Sequence, residues 1–103
     1  MKRKMFVGPD VVAMAPFPKL LKGRTISPKE AREEIARSGG TIESRFFERD
    51  ADTLRILGEV YGISVPLQTS PHILFLRRGD RFIEVKVREE DLSFQLFTYS
   101  DGK

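Results

Sequence analysis

The 103-residue sequence has no cysteine and no tryptophan, and it has a single histidine, His72. The absence of cysteine excludes disulfides, thiolate nucleophiles and zinc sites built on cysteine. One histidine excludes a multi-histidine metal site, and we predict neither a metal nor a cofactor. His72 could act as a general base near neutral pH. It has no Ser or Asp at a spacing typical of a catalytic triad, so a structural role is favoured.

Long apolar runs are also missing. None approaches the ~20 residues that a membrane-spanning helix needs. The basic start, Met1-Lys2-Arg3-Lys4, is followed by an apolar stretch too short for a signal peptide. A glycine-rich phosphate loop is absent too, since Gly39-Gly40 is not followed by Lys and Ser or Thr. Because membrane-span and signal-peptide patterns are missing, we expect a cytoplasmic location, in the host cell if the chain is viral.

The residues that are present indicate a folded protein with a mild basic bias. Hydrophobic residues make up 40% and charged residues 32% of the chain, which predicts one globular domain over residues 1–103. The net charge of +3 favours anionic partners such as nucleotides or nucleic acid. The charge-rich composition without cysteine suits a hyperthermophile. Stability is marginal at this size, so a homodimer is expected.

Two helices have clear sequence signals. Ser27-Pro28-Lys29-Glu30 combines a hydroxyl N-cap, a proline at the first helical position and a glutamate three residues after the cap. This predicts a helix over 28–37 that ends at Gly39-Gly40. A second helix fits residues 50–61, with Asp50 as its cap, an apolar face and Gly62 at its end.

The strand signals are weaker. Residues 4–7 and 11–14 predict a first strand interrupted by Gly8-Pro9-Asp10, and residues 41–47 are extended or irregular. Further strands are expected at 63–66 and 93–99. A β-hairpin is predicted from 73–76 and 82–87 around the turn Arg77-Arg78-Gly79-Asp80. The predicted fold class is α/β of the α+β type: a single mixed sheet of four or five strands with two helices, mainly on one face.

The strongest candidate anion site lies around the start of the second helix. Arg45, Arg49 and Arg55 are placed where the helix dipole and unpaired amides favour negative charge. The neighbouring acids could equally pair with these arginines; they are Glu43, Glu48, Asp50 and Asp52. Phe46-Phe47 could stack on bases, although a strand or interface contact is the commoner role for such a pair.

Other charged groups are less specific. Arg77-Arg78-Gly79-Asp80 could hold a phosphate, but a solvated hairpin turn is the favoured interpretation. Lys19, Lys22 and Arg24 form a second basic cluster. Carboxylates follow one another at Glu89, Glu90 and Asp91, where they are expected to face water.

The order of these signals resembles a family of small crenarchaeal virus proteins that includes the viral anti-CRISPR ring nucleases. The matching parts are the loop Ala15-Pro16-Phe17, the Ile-Ser-Xaa-Xaa-Glu-Ala helix start at 26–31, the Gly-Ile-Xaa-Val-Pro segment at 62–66, and the turn Gly79-Asp80. The resemblance implies a mixed sheet flanked by helices, a homodimer, and a ligand pocket across the dimer interface for cyclic tetra-adenylate.

The sequence departs from this family at its catalytic positions. Family nucleases have a histidine at the start of the second helix, and Phe47 or Asp50 stands there in this chain. The family's Arg-Leu-Pro-Glu-Gly segment is replaced by Lys86-Val87-Arg88-Glu89-Glu90, which has neither Pro nor Gly. These departures count against a ring nuclease of the known type.

The resulting hypothesis is a viral or archaeal homodimer that binds an anionic nucleotide, including cyclic oligoadenylate, or nucleic acid without efficient catalysis. The predicted ligand-binding residues are Lys19, Arg45, Phe47, Arg49, Thr53 and Arg78. The alternative is a metal-independent ring nuclease using Arg45, Arg49 and Asp50. A third hypothesis is a protein-interaction module at the exposed edge of the last strand, with Phe94, Phe97 and Tyr99.

Overall fold

A computed structural model describes residues 5–38, 42–68, 75–89 and 91–100 of the chain. The strands and helices, in chain order, are β1 (Met5–Gly8), β2 (Leu21–Ile26), α1 (Pro28–Arg37), β3 (Ile42–Ser44), α2 (Ala51–Tyr61), β4 (Arg81–Arg88) and β5 (Asp91–Tyr99). Single 3-10 turns lie at Val12–Met14, Pro18–Leu20 and Glu48–Asp50. The described residues thus form the predicted α+β fold, a mixed five-stranded sheet with two helices.

The sheet has the strand order β2-β5-β4-β1-β3. β1 lies between β3 and β4 and is parallel to both. The pairs β4–β5 and β2–β5 are antiparallel. Arg88 pairs with Asp91, so β4 and β5 form a tight hairpin around Glu89, whose φ is +53°. Because β1 and β3 are parallel and paired, their carboxyl ends lie side by side.

The two faces of the sheet have different covers. Side chains of Val7, Ile83 and Leu96 stand in one row across β1, β4 and β5, and they pack with α1 and α2. The helices contribute fully buried side chains to that core, Ala31 and Leu57. The opposite face is covered by loop residues; its apolar cluster is Phe6, Val11, Met14, Ala15, Leu76, Phe82 and Tyr99. Both helices thus lie on one face, as predicted.

Local chemistry explains the helix ends. The Ser27 hydroxyl accepts a hydrogen bond from the Glu30 N–H at 3.0 Å, as expected of an N-cap. The Glu30 carboxylate contacts the Arg24 guanidinium of β2 at 2.6 Å, so it links the helix to the sheet. Gly62 ends α2 with φ +68°, a conformation that costs glycine little. The other predicted helix end, Gly39-Gly40, lies outside the described residues.

The predicted hairpin partner is wrong. Phe75 and Leu76 do not belong to a strand, and residues 73–74 lie outside the described part of the chain. Leu76 is buried in the loop-covered face and donates its N–H to the Met14 carbonyl at 2.9 Å. The apolar run 73–76 is typical of a strand in sequence, but Leu76 is buried in a loop and Phe75 is 55% exposed. The hairpin is formed by β4 and β5 instead.

Two other predicted strands are not strands. Ile63 and Val65 are buried and Ser64 is exposed, which is the alternation of a strand, yet no described strand pairs with them. Residues 12–14 form a 3-10 turn instead of continuing the first strand. The Val11 N–H donates to the buried Glu84 carboxylate at 3.0 Å, which fixes this turn over the sheet.

Sequence reasoning missed β2 and misplaced the edge of the sheet. Most of β2 is exposed, and it contains Lys22, Gly23 and Arg24, so it lacks the apolar alternation of a half-buried strand. Because β2 pairs with β5, the last strand is internal. Phe94 and Tyr99 of β5 are buried. The expected exposed edge of the last strand is therefore wrong, and the edge strands of the described sheet are β2 and β3.

Candidate functional site

Arginine and aromatic side chains meet at the carboxyl end of β1 and β3. Arg45 follows β3, and its N–H donates to the Val7 carbonyl at 2.8 Å. The Cζ of Arg45 lies 5.5 Å from the Phe47 ring centroid, and the Cζ of Arg49 lies 5.6 Å from it. Both distances fall in the cation–π range. We call Arg45, Phe47, Arg49 and Asp50 the Phe47 cluster.

The neighbouring phenylalanine shows why Phe47 is left at the surface. Phe46 is fully buried in the helix-side core. Its N–H donates to the Ser44 hydroxyl at 3.1 Å, and its carbonyl accepts the Gln68 N–H at 2.6 Å. Phe46 is thus a core side chain outside any strand, whereas a strand or interface contact was the expected role of the pair. Only Phe47, which is partly buried, remains available for stacking on a ligand.

Asp50 positions the cluster from within a 3-10 turn. Its Oδ2 accepts a hydrogen bond from the Phe47 N–H at 2.9 Å and lies 3.7 Å from the Arg49 Nε. The predicted cap of α2 is wrong in this detail, because the Asp50 side chain accepts no hydrogen bond from the amides of α2. The turn Glu48–Asp50 precedes the helix, so the carboxylate caps that turn instead. Asp50 is thereby engaged in holding Phe47 and Arg49.

Close packing fixes the cluster against the sheet. A Cβ added to Gly8 would lie 2.6 Å from the Arg45 Cβ, closer than real side chains approach. Glycine at the last position of β1 therefore allows Arg45 to cross the strand end. Ligand sites in sheets with parallel strands commonly lie at these carboxyl ends. Thr53, in the first turn of α2, is partly buried two residues after the helix starts.

The other predicted ligand residues lie elsewhere. Arg55 pairs with Glu59 at 3.2 Å one turn along α2. Lys19 precedes β2 and Arg78 precedes β4, so both lie at the starts of these strands. Arg45 lies beside Gly8 at the end of β1, and Gly8 pairs with Glu84 further along β4. The structure thus divides the predicted ligand residues into two groups at opposite ends of the strands. One group is the Phe47 cluster with Thr53, and the other contains Lys19 and Arg78.

Arg78 borders an open pocket of about 620 Å³. Hydrogen bonds from the Gly79 N–H to the Tyr99 carbonyl and from the Ser100 N–H to the Leu20 carbonyl assemble this end of the sheet. The pocket is lined by Arg78, Gly79, Arg81, Thr98, Tyr99 and Ser100. Arg81, Thr98 and Ser100 were not predicted as site residues. They are close because β4 pairs with β5, a pairing that the sequence did not predict.

The predicted acidic and histidine candidates lie partly outside the described residues. Glu89 and Asp91 are exposed in the β4–β5 turn, and Glu90 and His72 lie outside the described residues. Over the described ranges, no group of three His, Cys, Asp or Glu side chains could hold a metal ion. Within the same ranges, neither helix is long and apolar enough to cross a membrane.

Comparisons with known proteins give a relation at the level of the fold. No protein-family model and no curated protein matches the sequence. Solved structures do match, and they include a protein of an archaeal-host virus. It is B116 of Sulfolobus turreted icosahedral virus, which superimposes with a TM-score of 0.65 at 13% sequence identity. The match covers 93% of this chain and 99% of B116, so the two share the whole architecture.

Proposed function

We propose that this protein binds an anionic nucleotide or nucleic acid through the Phe47 cluster, without efficient catalysis. The observation that carries the proposal is the placement of two guanidinium groups, of Arg45 and Arg49, about the partly exposed Phe47 ring. A base can stack on an aromatic ring or a guanidinium plane, while guanidinium N–H groups bind phosphate. One small surface therefore offers contacts to both halves of a nucleotide.

Cleavage is a poorer match to the geometry than binding. A ring nuclease of this chain would use Arg45 or Arg49 to stabilise the phosphate and Glu48 or Asp50 as the base. The Asp50 carboxylate already accepts the Phe47 N–H and lies 3.7 Å from the Arg49 Nε, so it is engaged in holding the cluster. Glu48 is exposed to solvent. We accordingly propose that the protein is a binder. Detection of linear cleavage products would instead identify a nuclease.

The wider setting of the proposal rests on two separate similarities. The sequence resembles small crenarchaeal virus proteins, and the fold is shared with B116 of Sulfolobus turreted icosahedral virus. Together they support a viral protein of an archaeal host. The homodimer is our proposal from the sequence resemblance alone. A second copy would also double the number of Phe47 clusters available to a symmetric ligand such as cyclic tetra-adenylate.

The test is fluorescence anisotropy with labelled cyclic tetra-adenylate, single-stranded RNA and duplex DNA over a series of salt concentrations. Binding that weakens with salt is expected for at least one probe. Phe47→Leu and Arg49→Gln should each weaken it by about tenfold or more, the loss expected for one stacking or charged contact. Arg55→Gln removes the same charge from an arginine paired with Glu59 and serves as the control.

The same samples should be analysed for products. Retention of intact ligand supports the proposal, whereas linear oligoadenylates would establish a nuclease. If no probe binds at any salt concentration, the nucleotide proposal fails. A pulldown from nuclease-treated host lysate would then test for a protein partner.

A further inference from the structure

The loop-covered face of the sheet changes from apolar to polar along the strands. Phe6, Phe82 and Phe97 stand in one row across β1, β4 and β5, and they belong to the apolar cluster under the loops. Because side chains alternate between the two faces of a sheet, residues two positions away in each strand lie on the same face. That neighbouring row consists of Gly8, Glu84, Gln95 and Thr25. The apolar cover thus ends where this polar row begins.

The polar row continues from the Phe47 cluster. A Cβ on Gly8 would lie 2.6 Å from the Arg45 Cβ and 3.3 Å from the Phe82 ring, so Arg45 crosses β1 on the loop-covered face. From Gly8 the row passes through β4 and β5 to Thr25 on β2. Adjacent strands lie about 4.8 Å apart, so Gly8 and Thr25 are about 14 Å apart. A ligand that lies along this row must be longer than one base.

The side chains that reach solvent on this part of the face are neutral or basic. Thr25 is exposed and Gln95 is half-buried. In the next row, the exposed Lys86 pairs with the half-buried Ser93. The acidic side chain in these two rows, Glu84, is 6% exposed and accepts the Val11 N–H at 3.0 Å. An amide and two hydroxyls can therefore bind base edges, and an ammonium group can attract phosphate.

We infer that this polar sheet face, formed by Thr25, Lys86, Ser93 and Gln95, binds a single-stranded nucleic acid of which one base stacks on Phe47. The inference rests on the proposed function and specifies its ligand as a chain of several nucleotides. An unpaired strand suits an open sheet, because its bases can stack on an aromatic ring and present their edges to amide and hydroxyl groups. A duplex keeps its bases stacked on each other and offers none to Phe47.

The experiment is a length series measured by fluorescence anisotropy with the full chain. The probes are the adenosine mononucleotide and linear di-, tetra- and octa-adenylates, as RNA and as DNA. Affinity should rise by about tenfold or more from the mononucleotide to the tetranucleotide, because stacking and phosphate contacts are added. An octanucleotide duplex should bind more weakly than its single strands. Affinity that does not rise with length, or tighter binding of the duplex, would overturn the inference. A preference for the RNA or the DNA series would identify the source of the strand.

Two substitutions test the polar sheet face directly. Lys86→Gln and Gln95→Ala should each weaken tetranucleotide binding by about threefold or more and leave mononucleotide binding unchanged. Lys86→Gln should also reduce the salt dependence by about one phosphate contact. Lys22→Gln is the matched control, because the exposed Lys22 stands in the row of Thr98 and Arg81, whose guanidinium contacts α1 on the opposite face. Equal weakening by Lys22→Gln would mean non-specific charge attraction and exclude this surface.

A gain of binding keeps the inference testable if a loss variant disturbs folding. Thr25→Lys adds a cation at the far end of the polar row and should tighten tetranucleotide binding by about threefold. Thr98→Lys adds the same charge at an exposed position on the helix-covered face and should bind as the wild type does. Equal affinities of the two lysine variants would overturn the inference.

The polar sheet face and the Phe47 cluster can fail separately. Phe47→Leu should weaken binding of the mononucleotide and the tetranucleotide alike, whereas Lys86→Gln and Gln95→Ala should affect only the tetranucleotide. Mononucleotide binding that depends on Phe47, without any gain from length, would retain the proposed function and refute the polar sheet face. If neither mononucleotide nor oligonucleotide binds, both are refuted.

Discussion

Glu34 of α1 forms an ion pair with Arg81 at the first position of β4, with 2.9 Å between Oε1 and Nη1. The Glu34 side chain is only 6% exposed, and Arg37 also lies near its second oxygen, at 3.8 Å. The pair connects a surface helix to a central strand of the sheet. It also holds the guanidinium of Arg81 beside the open pocket that Arg78 borders.

This pair predicts a loss of stability in acid. The hydrogen bond from Arg81 is the main cause that lowers the pKa of Glu34 below its ordinary value of 4.5, and burial opposes it. The folded chain therefore holds the Glu34 proton less tightly than the unfolded chain does. The stabilisation is complete above about pH 4.5 and is lost as the pH falls through the lowered pKa of the folded state.

The measurement is urea unfolding of the wild type and Glu34→Gln at pH 7 and at pH 3. At pH 7 the variant should be less stable by about 1–2 kcal/mol, a value reduced by the partial exposure of Arg81. The difference should shrink at pH 3. A difference that stays constant between the two pH values would contradict the assignment to Glu34.

Gly23 predicts a steric effect at the edge of the sheet. It pairs with Phe97, and a Cβ at Gly23 would lie 2.4 Å from two carbons of that ring. Gly23→Ala should lower the free energy of unfolding by about 1–3 kcal/mol, because the ring must move. Gly58→Ala is the matched control, since its Cβ meets only the Ile63 carbonyl at 4.0 Å in exposed helix. It should stabilise the protein by about 0.5–1 kcal/mol in the same thermal unfolding assay.

Ser27 predicts a capping effect confined to α1. Its hydroxyl accepts the Glu30 N–H, so Ser27→Ala should cost about 1 kcal/mol of unfolding free energy. Ser27→Asp keeps an acceptor and should restore most of that loss. Hydrogen exchange should accelerate in the first turn of α1 more than in β4. Equal stabilities of the alanine and aspartate variants would remove the cap as the cause.

The effect of Asp50→Ala on nucleotide binding should be the opposite of what its lost negative charge alone would predict. Asp50→Ala removes a negative charge near the proposed anion site, yet it also removes the acceptor that holds the Phe47 N–H. We expect nucleotide binding to weaken and stability to fall by about 1 kcal/mol. Asp50→Asn, which keeps an acceptor, should preserve binding. Glu48→Ala removes the same charge from an exposed neighbour and should bind as tightly as the wild type or more so. Tighter binding by Asp50→Ala would refute this role.

The helices and the fold class could be read from sequence because their signals are local. Ser27, Pro28 and Glu30 define a helix start within four residues, and Gly62 supplies the left-handed residue that ends α2. Strand identity was harder because a strand depends on its partner. Ile63 and Val65 alternate like a strand without one, whereas β2 pairs with β5 despite a polar, exposed sequence.

The sites were predictable to the extent that they are local. Arg45, Phe47, Arg49 and Asp50 are close in sequence, and the structure brings them together. Lys19 and Arg78, which were also predicted to bind the ligand, lie at the other end of the strands, a separation that only the sheet register reveals. The residues around Arg78 come from the start of β4 and the end of β5, so no sequence window contains them.

The position of β1 between β3 and β4 also bears on the order in which the sheet can form. Met5 pairs with Ile42 on one side and with Arg81 on the other. Each of these pairings closes a long loop, and the entropy lost in closing it must be repaid by contacts that form afterwards. The β4–β5 hairpin, by contrast, closes across a few residues. During synthesis β1 is made before either of its neighbours, so we expect it to pair only after the later strands are available.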